Sequence, residues 1–554
     1  MTMAADLILT NGRVWTEDPN QPEAEAVAVS GNAIAFVGRS DDVLPLAGTR
    51  TTIVDLRGGR VVPGFNDAHV HFSTGGFALT SVDLRNARSE DEFRAVLGSF
   101  ASSRRKGDWI LQGAWDPEGW ASGRLPTCQL IDDVTPDNPV FINRTDGHTT
   151  LANSLAMSIA QIDARTTDVP FGVIHRDDHG TPTGIFVDAA QSLIQNAIPA
   201  VTQERFIDAL MSAQQHAVSY GVTSVHDMGL IHASALDRAN LLRAYQTLVA
   251  RNALNVRVSL HMPLQRWSDL ANIGITARFG DETFRIGGLK AFADGSLGSR
   301  TAWFYDSYAD AANCCGLRSD ELMDPEAMYQ ALKGADEAGL QLAIHAIGDR
   351  ANHVVLGFCE RVAEENGPRD RRMRVEHAQH LLPEDFERFY RAGVIASVQP
   401  YHCIDDGRFL TQRIGPDRSQ NAFAFRSLLD AGARLAFGSD WWVAPIDPLL
   451  GIYAAVTRRT LRSQSTDGSI PAQRISVEEA VHAYTVGSAY AAFDEQIKGS
   501  IEIGKLADMV VLSDDIFSIA ADEIQAVKVD LTIFGGKVVY ERAGGRVEAG
   551  RSVC

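Results

Sequence analysis

The chain has 554 residues, 45% of them hydrophobic and 22% charged, with 51 Lys and Arg against 70 Asp and Glu for a net charge of −19. That length and composition describe an ordinary globular protein whose core needs no disulfide framework. The acidic balance argues against nucleic acid as a partner, because phosphate neutralisation needs a basic face, and it disfavours an anionic membrane surface.

Residues 5–62 read as short strands between turn signals, with Asn11-Gly12 and Gly31-Asn32 as hairpin turns. The opening MTMAADLILTNG has no basic stretch followed by an apolar one, so no signal peptide is read there. From residue 63 the texture changes. Short β-branched or apolar runs at 61–67, 221–227, 256–262, 286–292, 340–346, 373–378, 394–399 and 435–440 alternate with stretches of helical period, such as 325–338 and 383–392. Eight such units predict an α/β fold, a closed (β/α)₈ TIM barrel over 63–498. The first two runs lie about 150 residues apart, where one unit needs about thirty. Residues 73–215 are therefore expected to form an inserted subdomain over the barrel mouth. Strand-like runs return in 499–554, with Gly535-Gly536 as a turn, and with 1–62 they predict a small β-sandwich built from both termini. No run approaches the ~18 apolar residues of a membrane span. Six cysteines without a CxxC fit a reducing compartment, so a cytoplasmic protein is expected.

Side chains at the C-terminal ends of barrel strands converge on one mouth. The first run ends in Asn66-Asp67-Ala68-His69-Val70-His71, and in extended chain His69 and His71 point the same way. Lys290 lies on the fourth run, while His345, His377 and Asp440 end the fifth, sixth and eighth. For any one of them a hydrogen-bonded core histidine or a capping aspartate is the commoner role. Five strand ends aimed at one mouth with ligand-type residues instead predict a metal site.

The strings VVPGFNDAHVHF, INRTDGHTTLANS, GGLKAFADGSLGSRTAWF, AIHAIGDRAN, RVEHAQ and AFGSDWWV resemble the amidohydrolase superfamily, in its YtcJ-like or "amidohydrolase 3" branch, from residue 5 to about 542. That branch includes N-substituted formamide deformylase. The resemblance implies a metal-dependent hydrolase cleaving a C–N bond in an amide, N-formyl or N-acyl amine, with ester, carbamate or cyclic-amide hydrolysis as alternatives on the same site. A barrel that has lost turnover and serves as a scaffold or regulatory partner is the rival from another class. One or two ions are implied, with Zn²⁺ suited to histidine and carboxylate ligands and Mn, Fe, Co or Ni also compatible. Asp440 would serve as ligand and as general base and acid. The partner is a small-molecule substrate, and the family implies a homodimer.

Lys290 needs separate treatment, because an ammonium is no metal ligand. Burial and nearby cations lower its pKa, and the neutral amine can then add CO₂ to give the N6-carboxylated, metal-bridging lysine of hydantoinase-like relatives. A lysine that pairs with Asp294 or binds an anionic substrate is the alternative. With the carbamate in place, His69, His71 and Asp440 would serve one ion and His345 and His377 the other. His148, in the insertion, is a candidate for the tetrahedral oxyanion. Asp294 and Arg300 are candidates for orienting ligands or substrate, and Trp115, Trp441, Trp442, Tyr401 and His402 are candidates for lining an apolar substrate pocket. The string His345-Ala346-Ile347-Gly348 lacks the Glu of the HxxE that typifies single-metal deaminases.

Overall fold

The eight apolar runs become the strands of one parallel sheet: β1 (Phe65–Val70), β2 (Val222–Asp227), β3 (Arg257–Pro263), β4 (Phe284–Phe292), β5 (Leu342–Ala346), β6 (Arg374–His377), β7 (Ile395–Val398) and β8 (Arg434–Phe437). The structure is a computed structural model that describes residues 4–118, 120–230, 234–461 and 468–546; residues 547–554 of the expected C-terminal segment lie outside that range. The strands are hydrogen-bonded in chain order. Every residue of β1, β2 and β5 is buried, as expected where helices cover a parallel sheet and both faces are dry. The covering helices are built by ordinary rules. In Pro325–Glu337, Asp324 caps the amides of Glu326 and Ala327, proline occupies the first turn, and Met328, Tyr329 and Leu332 are buried.

The barrel is nearly closed. Among the described residues β8 makes no ladder with β1. The two meet just past their ends, where the Asp440 amide donates to the His69 carbonyl at 2.7 Å and the His71 amide donates to the Trp441 carbonyl at 2.6 Å. The seam thus runs through three of the candidate ligands.

The first run divides in two. Arg60–Pro63 joins a six-stranded sheet, and the chain enters the barrel only at Phe65. Gly64 is the joint, because a Cβ there would lie 2.2 Å from Thr223 Oγ1. That six-stranded sheet combines Arg13–Trp15, Glu23–Ala24 and Arg60–Pro63 with Met509–Leu512, Val529–Phe534 and Lys537–Glu541. A four-stranded sheet lies entirely within residues 5–55. Leu9, Val27 and Val54 of the smaller sheet share a core with Val61, Val511 and Leu531 of the larger. The turns at Gly31-Asn32 and Gly535-Gly536 do join antiparallel neighbours. Asn11-Gly12 does not. Ala5–Thr10 and Arg13–Trp15 belong to different sheets, and the turn carries the chain across so that Leu9 and Val14 bury into the same core.

Between β1 and β2 stands a five-stranded sheet with two apolar clusters of its own. The helix Gln203–Ser219, whose first thirteen residues the sequence reading gave to the insertion, instead buries Phe206, Leu210 and Ala213 in the barrel core. It is the helix that leads into β2. Among the described residues, no helix is long and apolar enough to cross a membrane.

Candidate metal centre

His69, His377 and Asp440 are buried and offer ligand atoms that all lie within 4.8 Å of one another. β1 delivers His69 and His71, β6 ends at His377, and Asp440 follows β8. Two of these residues occupy the left-handed region, with φ of +74° at His377 and +60° at Asp440. Non-glycine residues take up that strain chiefly where surrounding structure enforces it for function. The His71 Nε2 is 3.4 Å and the His69 Nε2 3.5 Å from Asp440 Oδ1. The His345 ring stands 4.4 Å from the His377 ring, but its Nε2 turns to the Gly295 carbonyl at 3.1 Å. His345 therefore sits at the edge of the tight cluster.

The donor set suits a divalent cation. His69 Nε2, His377 Nδ1, Asp440 Oδ1 and Lys290 Nζ are buried with no hydrogen-bond partner among the described residues, an arrangement costly for a protein unless something else engages them. Metal ligands must also be deprotonated. Burial, aided by the Lys290 charge, holds His69 down at about 4. Burial likewise keeps His345 and His377 well below the usual histidine value. Burial works against the Asp440 carboxylate, but the His402 hydrogen bond and the close His71, His69 and His377 rings outweigh it and hold the group well below the carboxylate range. Lys290 is lowered to about 8, chiefly by burial.

Of the residues behind the ligands, the sequence reading missed Arg374, Glu376 and Ser439. The Glu376 carboxylate accepts from His69 Nδ1 at 2.6 Å, which leaves Nε2 facing the cluster. It is in turn paired at 2.8 Å with Arg374, and both side chains are fully buried. Arg374, Glu376 and His377 all stand in the quoted string RVEHAQ, with Val375 between the first two. The signal was there: two charged residues at i and i+2 on a buried strand must face the interior together and pair. Asp67 ties β1 to the β8 end, accepting from the Ser439 amide at 2.8 Å and its hydroxyl at 2.5 Å. His402 Nε2 lies 3.3 Å from Asp440 Oδ2.

The cluster opens into a cavity of about 590 Å³ lined by His69, His71, Lys290, His345, His377 and Asp440. His148 also lines it, 5.6 Å from the His345 ring, with Nδ1 held at 2.6 Å by Asp188. Burial opposes its charge, but the Asp188 carboxylate wins and raises its pKa. Asp294 lines the cavity too, yet its oxygens accept from the amides of Ile347, Gly348 and Trp303 at 2.8–2.9 Å, so it shapes the β4 and β5 ends. Lys290 and Asp294 form no ion pair among the described contacts.

Four expected substrate contacts are elsewhere. Trp115 is fully buried in the insertion, its Nε1 donating to the Ile142 carbonyl. Arg300 grips Asp310 through two bonds of 3.2 and 2.8 Å and does not line the cavity. Trp441 stacks on His216 at 5.3 Å, facing away from its neighbour Trp442, which does line it. Tyr401 packs against the barrel core, because helical neighbours cannot share a face and His402 takes the cavity side.

Comparison with known proteins gives a consistent picture. The family model described as "Amidohydrolase family" matches residues 52–540. The protein LONG AFTER FAR-RED 3 of Arabidopsis thaliana is 39% identical over 543 residues, covering 97% of this chain and 92% of that one. The putative amidohydrolase YtcJ of Bacillus subtilis is 32% identical, covering 96% and 99%. The N-substituted formamide deformylase of Arthrobacter pascens is 29% identical, covering 98% and 100%. Among solved structures, an uncharacterized metal-dependent hydrolase from Pyrococcus horikoshii superposes with a TM-score of 0.75 at 28% identity, covering 93% of this chain and 99% of that one.

Proposed function

The chain belongs to the amidohydrolase family, and from that premise we propose that it is a metal-dependent hydrolase of a C–N bond in an amide, N-formyl or N-acyl amine. The observation that carries the reading is the convergence of His69, His377 and Asp440 with unpartnered ligand atoms inside 4.8 Å. His71 and His345 complete the set of residues that would hold one or two ions, Zn²⁺ being well matched to it. A metal held there supplies Lewis acidity toward a carbonyl oxygen and makes water a nucleophile near neutral pH. The Asp440 carboxylate is ionised and positioned to take the proton of that water and pass it to the leaving nitrogen, and His402 steadies its second oxygen. His148, whose protonated form Asp188 favours, faces the same cavity and can donate to the developing oxyanion. The amide class is supported by the likeness to the N-substituted formamide deformylase of Arthrobacter pascens.

Lys290 completes the reading as an N6-carboxylated ligand. Its buried, unpartnered Nζ, once the ammonium has given up a proton, can form an N–C bond to CO₂ with loss of a second proton, so that an anion replaces a cation beside the cluster. The two terminal sheets are read as a β-sandwich bracing the barrel, and the segment after β1 as the cover of its mouth, since His148 comes from it.

The test combines metal analysis with turnover. Protein purified without chelator is assayed for metal per chain and for release of amine from N-formyl and N-acyl amines, beside Asp440→Asn. The expected result is bound metal in both and a rate at least a hundredfold lower in the variant. A chain that takes up no metal and turns over none of these amides would favour the scaffold role.

A further inference from the structure

A second cavity, also about 590 Å³, lies beside the catalytic one, between the insertion, the helix Phe72–Ala78 and the helix Gln203–Ser219. Gly147, Gln191, Leu230 and Trp442 line both, so a single layer of residues divides them. Two of the four are next to the chemistry: Gly147 precedes His148, and Trp442 lies two residues past Asp440. The strand Val140–Asn143 links the cavities as well. Successive residues of extended chain point to opposite sides, and here Asn143 lines the second chamber while Arg144 lines the catalytic one.

The chamber wall is aromatic, with Phe77, Phe100, Trp109, Phe141 and Phe206 among its lining residues. Set into that wall are three side-chain amides, Gln112, Asn143 and Gln195, whose carbonyl oxygens are buried without a hydrogen-bond partner among the described residues. Asn143 is 6% exposed. Its Nδ2 donates to the Arg144 carbonyl at 2.8 Å, which fixes the amide and leaves Oδ1 as the unused acceptor. A core gap would be lined by apolar groups alone. Apolar walls with a few buried polar groups are the composition of a small-molecule site. An unpaired buried acceptor costs free energy until a donor reaches it.

We propose that this chamber binds the distal limb of the substrate: an aromatic or bulky apolar group carrying an N–H donor, joined to an amide whose scissile carbonyl lies at the His69–His377–Asp440 cluster. This deepens the amide-hydrolase reading and rests on it for the identity of the bond cleaved. The chamber makes the enzyme selective for long, aryl-bearing amides over short ones, with Trp442 among the residues common to chamber and catalytic mouth. Asn143 and Gln195 supply specificity. Neither touches the candidate ligands.

The experiment measures equilibrium binding, so that it does not depend on turnover. Asp440→Asn protein is titrated calorimetrically with two probes, N-methylformamide and N-formylphenylalanine N′-benzylamide. The second carries an aryl limb and an extra N–H. The titrations are repeated with Gln195→Trp, which fills the chamber, and with Asn143→Ala, which removes the acceptor and leaves the space. The aryl probe is expected to bind at least tenfold more tightly than the short one, and Gln195→Trp is expected to remove that advantage. Asn143→Ala should weaken the aryl probe about three- to tenfold. Circular dichroism and metal content check that each variant is folded. Equal affinity of the aryl probe for parent and both folded variants overturns the chamber assignment, even where amide hydrolysis is confirmed. So does failure of the aryl probe to outbind the short one. Chamber-dependent binding without hydrolysis of any amide by the unmodified enzyme keeps the chamber and overturns the amide reading instead. If Gln195→Trp does not fold, the Asn143→Ala result decides.

Discussion

Replacing Glu376 by Gln tests whether the metal centre is organised from behind. The carboxylate holds His69 Nδ1 at 2.6 Å and Arg374 at 2.8 Å, with no solvent access to either partner of the ion pair. At that separation and an effective dielectric near 20, the Coulomb attraction is about 6 kcal/mol. Desolvating two ions offsets much of it, whereas removing one partner exposes the uncompensated remainder, about 3–5 kcal/mol. Glutamine keeps the shape and an acceptor oxygen, so the lower end of that range applies and the His69 ring stays in place. The loss should therefore appear in two readouts. In chelator-treated protein the thermal midpoint falls. In competition with a calibrated chelator, metal affinity drops about ten- to a hundredfold, the usual cost of losing a partner behind a histidine ligand. The pH dependence has a definite sign. Burial opposes the Glu376 charge, but Arg374 and His69 outweigh it and depress its pKa well below the carboxylate range. The pair's contribution is thus complete above the unfolded value of about 4.3 and is lost as pH falls through the folded one. Glu376→Gln should flatten that acid arm. Unchanged metal affinity together with an unchanged midpoint would refute the argument that Glu376 fixes His69.

Asp188→Asn should lower the His148 pKa, because the 2.6 Å contact that raises it loses its charge. If protonated His148 assists the reaction, the basic limb of kcat/KM moves to lower pH; an unmoved limb assigns His148 a purely structural role. For the same pair, stability is complete below about pH 6.5 and declines as pH rises through the raised folded value, and urea midpoints between pH 5 and 9 will show it. Lys290→Ala should reduce metal content and leave the remainder insensitive to bicarbonate, whereas the unmodified enzyme, stripped and reconstituted, should load better with bicarbonate present. Equal loading with and without bicarbonate counts against the carbamate. Trp115→Ala should act through the insertion's core, costing about 3–5 kcal/mol and exposing that segment to protease, rather than through a contact with substrate.

What the sequence revealed and what it hid divide along physical lines. The barrel was legible because a parallel sheet buried on both faces forces continuous apolar runs, and eight of them occur, all after the second at helix-compatible intervals. The ligands were legible because each is the polar residue at which such a run stops. Arg374 and Glu376 were passed over because they lie within a run, where their charge reads as an interruption. Their i, i+2 spacing signals a mutual pair, and the contacts across the barrel interior, with His69 from β1 and Ser397 from β7, show what that pair braces. Trp115, Trp441, Tyr401 and Arg300 were misplaced for the opposite reason. Aromatic and arginine side chains serve cores and salt bridges as readily as pockets, and which of two adjacent residues faces a cavity depends on local twist that no single sequence fixes. The Trp441–Trp442 pair and the Tyr401–His402 pair each split in this way, one member to the core and one to the mouth.

The same reasoning bears on how specificity is built. The candidate metal ligands come from strand ends and are braced by backbone bonds at the β1–β8 seam and by the Arg374–Glu376 pair inside the barrel. The residues that line the second chamber come mostly from the segment after β1, which has its own sheet and its own cores. A change in that segment can therefore remodel the second chamber without disturbing a ligand, whereas a change at Asp67 or Glu376 reaches the centre directly. Substrate range and metal binding are separable by construction. Substitutions at Asn143 or Gln195 should alter the ranking of substrates while leaving chelator competition unaltered, and substitutions at Glu376 should do the reverse.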